Sequence, residues 1–284
     1  MLKTIALIDG SLYAHSVCDA AAWVSARNGA AVELLHVLGR REGAADGADL
    51  SGNIGLGART ALLEELAELD ARKAKLTQKR GRALLDEARS RLEEAGVGTV
   101  TTSLRYGDLA ETVQALEVDA NLLIVGKRGE AADFAKLHLG SNLERVVRTT
   151  RRPVLVTSRA FKPVSKVLVA FDGGASVLKA IEYMSGSKVF EGLEVQLLMV
   201  GDDSEANRAQ LEAAAQQLRA RDIAASCAIK AGVADKVIAE RVEQGDIDML
   251  VMGAYGHSRI RTLIIGSTTT EMIRSCLVPI MLFR

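Results

Sequence analysis

The fold is decided by the stretch DMLVMGAYGHSRIRTLIIGSTT, residues 248–269, in which an apolar run leads into a glycine loop and a hydroxyl cluster. A short apolar run that ends in a turn is typical of a buried β-strand. Beyond the loop, Gly266, Ser267 and Thr268 open a helical pattern. The stretch therefore predicts a strand, a glycine loop and a helix in succession, which is a unit of the doubly wound α/β fold.

The same arrangement occurs once more, in GKRGEAADFAKLHLGSN at residues 126–142. Apolar runs that alternate with helical patterns predict a parallel sheet covered by helices on both faces. We therefore predict an α/β protein of two tandem doubly wound domains, residues 1–158 and 159–284, each with a five-stranded parallel sheet. The predicted strands are TIALID, AVELLHV, VTTSLRYG, NLLIVG, PVLVTS, KVLVAFD, EVQLLMV, ASCAIKAG, DMLVMG and PIMLF.

The two repeats differ in length because the first carries an insertion between its second and fourth strands. The insertion contains a glycine-rich loop at 39–57 and a charged helix that starts near Thr60. We interpret the loop as a flexible connection, with a lid over a site as the alternative. The helix has an apolar stripe and a solvated charged face, and Gly81 predicts a kink or break in it. The stripe consists of Leu62, Leu66, Leu69, Leu76, Leu84, Leu85 and Leu92.

Composition excludes several classes of protein. Lys plus Arg and Asp plus Glu balance at 36 each, so no overall field favours nucleic acid or a membrane surface. No apolar run approaches the roughly 20 residues of a membrane span, and the amino terminus lacks a signal-peptide pattern. We expect a cytoplasmic protein. Cys18, Cys227 and Cys276 lack metal-binding spacing, and we predict that they are buried structural thiols.

Three residues of the second repeat end predicted strands, and the carboxyl ends of parallel strands meet at the edge where doubly wound sheets bind ligands. They are Asp172, Val200 and Gly253. An aspartate there suits ribose hydroxyls or a metal bound to phosphate. These positions predict a ligand site at the carboxyl edge of the second sheet.

The loop after Gly253 has the chemistry of an anion site. Gly256 and Gly266 let the backbone approach a ligand, and the helix after Gly266 offers free N–H groups and its dipole. Ser267 and Thr268 add hydroxyl donors. The cations His257, Arg259 and Arg261 lie in a loop without acids, which suits a phosphate group.

The pattern Gly253-x2-Gly256-x9-Gly266-Ser267-Thr268, together with Asp172 after the first strand of its repeat, resembles the universal stress protein family in its tandem form. The resemblance covers nearly the entire chain. It implies an adenine-nucleotide α-hydrolase-like fold that binds ATP or AMP, with Mg²⁺ carried by the nucleotide. A serine frequent in the family is replaced by Gly174, which weakens one polar contact.

The resemblance also implies a role for each site residue. Asp172 would face the ribose, Val200 would meet the adenine through its backbone, and Met252 would line the pocket. Phosphates would lie on the glycine loop with Ser267 and Thr268. No catalytic residue is assigned.

The first repeat keeps a weaker version of this site. It consists of Asp9, Val37, Gly126, Gly129, Gly140 and Ser141. Its loop is one residue longer and carries Glu130 and Asp133, whose carboxylates would repel phosphate. Lys127 and Arg128 could compensate, so we leave occupancy of this site open.

Three functions are compatible with this sequence. The first is a regulatory stress-response protein that binds ATP or AMP in its second repeat, with an unknown protein partner. The second is an enzyme, either a slow ATP hydrolase or an adenylate-forming enzyme, for which DGGAS at 172–176 is a faint signature. The third is an interaction module without nucleotide.

Assembly follows from the last strand of each repeat, an apolar run after a proline. Such edge strands invite pairing. We predict an intramolecular pseudo-dimer joined through these two strands, and leave a dimer of whole chains open.

Overall fold

All ten predicted strands are present in a computed structural model of the protein, which describes residues 2–39, 56–130, 141–254 and 266–284. In the first half, the strands are β1 (Lys3–Leu7), β2 (Ala31–Leu38), β3 (Val100–Tyr106), β4 (Leu122–Gly126) and β5 (Val154–Thr157). Its helices are α1 (Ala14–Asn28), α2 (Leu56–Glu94), α3 (Leu109–Leu116) and α4 (Ser141–Thr149).

The second half repeats this alternation. Its strands are β6 (Lys166–Ala170), β7 (Glu194–Val200), β8 (Ala224–Lys230), β9 (Met249–Gly253) and β10 (Ile280–Phe283). Its helices are α5 (Ala175–Gly186), α6 (Glu205–Arg219), α7 (Ala234–Glu243) and α8 (Ser267–Ser275). Short 3-10 helices at Glu117–Asp119 and Lys188–Phe190 complete the described elements.

The strands form one sheet in the order β3-β2-β1-β4-β5-β10-β9-β6-β7-β8. Within each half all pairs are parallel, and the strand order reverses beside the first strand, between β1 and β4 and between β6 and β9. The predicted fold class is confirmed. The domain division at residue 158 stays a prediction.

The core lies on both faces of the sheet. Successive strand residues point to opposite faces, so Ala6 packs into one apolar cluster while Ile5 and Leu7 pack into the other. The first cluster includes buried residues of α1, α2, α5 and α6, and the second includes those of α3, α4, α7 and α8. Helices on both sides explain why the strands are apolar at nearly every position.

The two halves are joined where β5 and β10 run antiparallel. Met281 pairs with Leu155, and both are fully buried. The predicted pairing of the two last strands is confirmed. Side chains reinforce this seam, since Arg27 Nε donates to the carbonyl of Val189 at 2.6 Å and Trp23 packs against Phe161 with ring centroids 5.8 Å apart.

Helix α2 is continuous over 39 residues, so the predicted break at Gly81 is wrong. Gly81 is buried, and a Cβ there would lie 2.9 Å from both His36 Cδ2 and Leu104 Cδ1. His36 is itself fixed, because its Nδ1 lies 2.6 Å from the carbonyl oxygen of Ile8. The glycine therefore serves close packing of α2 on the sheet. The loop of the insertion lies outside the described residues, apart from residue 39 and the helical residues 56 and 57.

Two of the three cysteines are buried as predicted, but Cys227 is exposed, so its predicted burial is wrong. Burial raises the pKa of Cys18 to about 12. Cys227 lies on β8, which forms one edge of the sheet and has a single neighbouring strand. An apolar-looking run at an edge is covered on fewer sides than a central strand, which explains the exposed thiol.

We expect Gly81→Ala to destabilise the protein, although alanine is favoured over glycine in helices by about 1 kcal/mol. The added Cβ must displace His36 or Leu104, and overpacking of this kind costs about 1–3 kcal/mol. Gly186→Ala is the matched control, because a Cβ at Gly186 would have no atom within 4 Å. Urea unfolding followed by circular dichroism measures both. A Gly81→Ala protein that gains as much stability as the Gly186→Ala control would contradict the packing role.

Candidate functional site

The carboxyl ends of β6, β7 and β9 lie side by side, because β6 pairs in parallel with both β7 and β9. Asp172 follows β6, Val200 ends β7 and Gly253 ends β9. The structure thus brings three predicted site residues to one sheet edge. Asp172 and Gly253 flank the reversal of strand order, the position where open α/β sheets bind ligands.

Asp172 is held in a tight turn between β6 and α5. The preceding residue, Phe171, is buried and donates its backbone N–H to the carbonyl of Leu198 at 2.9 Å. Asp172 Oδ1 then accepts the N–H of Gly174, also at 2.9 Å. Gly173 between them has φ of 72°, a left-handed conformation that favours glycine. The turn fixes the carboxylate at the edge of the sheet.

The first half makes the equivalent hydrogen bond with a different donor residue. Asp9 Oδ1 accepts the N–H of Ser11 at 3.0 Å, as Asp172 does from Gly174. Replacing serine by glycine at residue 174 therefore leaves this hydrogen bond intact, because the donor is the backbone.

The start of α8 is fastened directly to the end of β9. The N–H of Gly266 donates to the carbonyl of Ala254 at 3.1 Å, and Thr269 Oγ1 donates to the carbonyl of Gly253 at 3.0 Å. Gly266 is the N-cap and provides no side-chain cap. In the described part of the chain, the first backbone N–H groups of α8 therefore have no capping side chain and carry the positive end of the helix dipole.

The other predicted residues of the second site fall into three groups. Ser267 is exposed and Thr268 half-buried at the start of α8, while Val200 is half-buried at the end of β7. Met252 is 4% exposed and belongs to the second apolar cluster. The remaining predicted residues, Gly256, His257 and Arg259, lie outside the described residues, as does Arg261.

The first half differs at the corresponding loop. Asp9 Oδ2 accepts the N–H of Glu130 at 3.2 Å, and a Cβ on Gly129 would lie 3.1 Å from the same oxygen. The Glu130 carboxylate forms an ion pair with Arg80 of α2. Both side chains lie against Gly10, since a Cβ there would approach each of them within 3 Å. An internal ion pair therefore lies beside the first-half aspartate.

The remaining predicted residues of the first half are placed as follows. Val37 is half-buried near the end of β2. Gly126 ends β4 and packs closely against the Cβ of Tyr13. Ser141 begins α4, and Gly140 lies outside the described residues, as does Asp133.

Lys127 contacts the other half of the protein. Its Nζ donates to the carbonyl of Cys276, the C-cap of α8, at 2.9 Å. Burial lowers the pKa of Lys127. One donor of this ammonium is therefore used across the seam, and compensation by Lys127 and Arg128 for the acids of the first loop stays a prediction.

Comparison with known proteins agrees with this geometry. The family model described as the universal stress protein family matches residues 1–158 and 187–284. The chain belongs to the universal stress protein family. Universal stress protein Slr1230 from Synechocystis sp. is 37% identical over 287 aligned positions, covering 100% of both chains.

Solved structures of universal stress proteins share the complete fold. One from Archaeoglobus fulgidus has a TM-score of 0.72 at 21% identity, covering 99% of this chain and 98% of its own. A putative universal stress protein from Pseudomonas aeruginosa has a TM-score of 0.61 at 18% identity, covering 99% and 92%. At these identities the similarity shows the fold alone.

This universal stress protein has one site-building residue that sequence reasoning missed. Thr269, buried at 3% exposure, holds the first turn of α8 to β9. The signal was the third hydroxyl residue in GSTTT, which lies on the inward side of the new helix. The corresponding residue of the first half is Leu143, which is buried and apolar.

Two further features bear on function. No described helix is both long and apolar enough to cross a lipid bilayer. Among the described residues, no group of three or more His, Cys, Asp or Glu side chains is arranged to hold a metal ion.

We expect Thr269→Val to lower the free energy of unfolding by about 1–2 kcal/mol, because the hydroxyl that anchors α8 to Gly253 is lost and a buried carbonyl loses its donor. Thr269→Ser keeps the hydroxyl and is the control. Urea denaturation of both variants measures the difference. A serine variant less stable than the valine variant would show that packing, not the hydrogen bond, matters at this position.

Proposed function

We propose that this universal stress protein is a regulatory stress-response protein that binds an adenine nucleotide, ATP or AMP, in its second half. The observation that carries the proposal is the first turn of α8, which has a glycine N-cap and begins at the same sheet edge as Asp172. Backbone N–H groups at a helix start form an anion site, and phosphate is the anion that such sites commonly take.

The surrounding residues support a nucleotide rather than phosphate alone. Asp172 follows the neighbouring strand β6, across the reversal of strand order, where a carboxylate can accept hydrogen bonds from ribose hydroxyls. Val200 ends the next strand, and its backbone would meet the adenine ring. Met252 is buried below the loop and would form an apolar floor.

In this proposal, Ser267, Thr268 and the loop cations His257 and Arg259 bind the phosphates with Gly253, Gly256 and Gly266. Mg²⁺ would come with the nucleotide, and the Asp172 carboxylate is an oxygen donor of the type that Mg²⁺ prefers. We assign no catalytic residue. The regulatory protein partner is unknown, and the three free cysteines suit the reducing cytoplasm, which is the compartment we propose.

The two sites should differ in affinity. Beside Asp9, Glu130 introduces a carboxylate that already pairs with Arg80, whereas the second-half loop contains no acid. Phosphate in the first half would have to approach that carboxylate, and like charges repel. We therefore propose that the second site fills first.

We expect Gly266→Val to abolish nucleotide binding, because its side chain would occupy the space where the backbone meets phosphate. The double variant Ser267→Ala/Thr268→Ala keeps the backbone and should weaken binding by about 1–3 kcal/mol, the scale for hydrogen bonds to charged groups. Isothermal titration calorimetry with ATP and AMP measures both. Unchanged affinity of a folded Gly266→Val protein would overturn the site assignment.

We also expect calorimetry to give close to one tight site per chain, with the first-half site at least tenfold weaker, which corresponds to about 1.4 kcal/mol. Gly266→Val should remove the tight site, while Gly140→Val should leave it intact. Mass spectrometry of small molecules released by denaturing the purified protein identifies the nucleotide. Two equal sites, or loss of binding only with Gly140→Val, would contradict the proposed asymmetry.

A further inference from the structure

The amino-terminal part of α2 extends beyond the core. The helix has 39 residues, whereas α6 at the corresponding place in the second half has 15. Between Leu62 and Arg80 no described residue is buried, and the first buried residue is Gly81. We call Leu62–Arg80 the leucine segment. At about 1.5 Å per residue it is roughly 28 Å long, which is enough for five turns of exposed helix.

The leucine segment has an apolar seam that remains accessible. Leu69 is 55% exposed and Leu76 is 68% exposed, and Leu62 and Leu66 are half-buried. These leucines follow the alternating four- and three-residue spacing of a coiled-coil seam. Lys73 occupies the position of the seam between Leu69 and Leu76. Its long aliphatic stem can pack on a facing helix while the ammonium reaches water.

Charge is divided sharply along the leucine segment. All its acids come first, and the bases follow without an acid among them as far as Arg82. The acids are Glu64, Glu65, Glu68 and Asp70, and the bases within the segment are Arg72, Lys73, Lys75, Lys79 and Arg80. The two blocks meet at Ala71, so the segment carries an acidic and a basic half of similar length.

Interactions within the chain do not account for this division. Stabilisation by the helix dipole is confined to the first and last turns, whereas the basic block lies in the middle of a helix that ends at Glu94. Among the described residues, the blocks form only two ion pairs, Arg72 with Glu68 at 3.4 Å and Arg80 with Glu130. Most of these charges are therefore available to a partner.

We propose that two copies of this chain associate by pairing their leucine segments as antiparallel helices about a two-fold axis near Ala71. In this arrangement the acidic block of each copy faces the basic block of the other. Leu66 of one copy comes opposite Leu76 of the other, because the two residues lie equally far from the axis. The same surface on both copies forms the contact, as in the most common soluble dimers.

Charge decides both the orientation and the partner. A parallel pair in register would place acid on acid and base on base along the whole segment, which is unfavourable. An antiparallel pair instead places the acidic block of each copy alongside the basic block of the other, which is attractive. A second copy of this chain therefore has the charge pattern that the segment requires.

The test reverses one block at a time in the full-length protein. The acid-reversed variant is Glu64→Lys/Glu65→Lys/Glu68→Lys, and the base-reversed variant is Lys73→Glu/Lys75→Glu/Lys79→Glu. The control, Glu182→Lys/Glu194→Lys/Glu240→Lys, changes three exposed acids elsewhere. Sedimentation velocity over a concentration series measures the dimer dissociation constant, and circular dichroism verifies that each variant is folded.

We expect the wild-type and control proteins to be dimers. Each reversed variant alone should have a dimer dissociation constant at least tenfold higher than that of the wild type. Mixing the two reversed variants should restore dimers, because an acidic segment then faces a basic one. A wild-type protein that stays monomeric up to about 100 µM would overturn the proposal. So would a mixture that remains monomeric, or dimers that persist in both reversed variants. Binding of the helix to lipid vesicles would not rescue the proposal.

Discussion

The antiparallel pairing of β5 with β10 is the contact on which the rest of the structure depends. Each half ends in a short, wholly buried strand that would otherwise be an exposed sheet edge. Pairing the two within one chain satisfies the backbone groups of both and makes both apolar clusters continuous across the seam. The remaining edges are β3 and β8, in which exposed residues are interspersed with half-buried ones. Edges of this kind are less suited to pairing.

Much of the fold could be predicted because buried parallel strands leave a clear pattern. Each of the ten apolar runs became a strand, and the repeat of glycines and aspartates indicated the duplication. The errors arose where tertiary contacts decide. Gly81 was interpreted as a kink or break because the reason for a glycine there is its close packing against His36, which is distant in sequence. Cys227 was predicted to be buried because the sequence of one strand does not show whether that strand lies in the centre or at the edge of the sheet.

The candidate site was predictable in part, for a related reason. Asp172, Val200 and Gly253 were found because strand ends can be located from the sequence, and parallel pairing brings them to one edge. Thr269 was missed because the run of hydroxyl residues in GSTTT does not itself show which of them faces inward and donates to a backbone carbonyl. The Arg80–Glu130 pair joins residues of α2 and the first glycine loop, and the sequence contained no sign of that contact.

Helix α8 connects features of the molecule that are far apart in the chain. Its first turn begins at Gly266, while the carbonyl of its C-cap, Cys276, is held by Lys127 at the start of the first-half glycine loop. A nine-residue helix moves largely as a rigid rod of about 14 Å. Lys127 therefore links the end of this rod to the first half of the chain. The corresponding residue of the second half, Ala254, has no side chain long enough to make the equivalent contact in return.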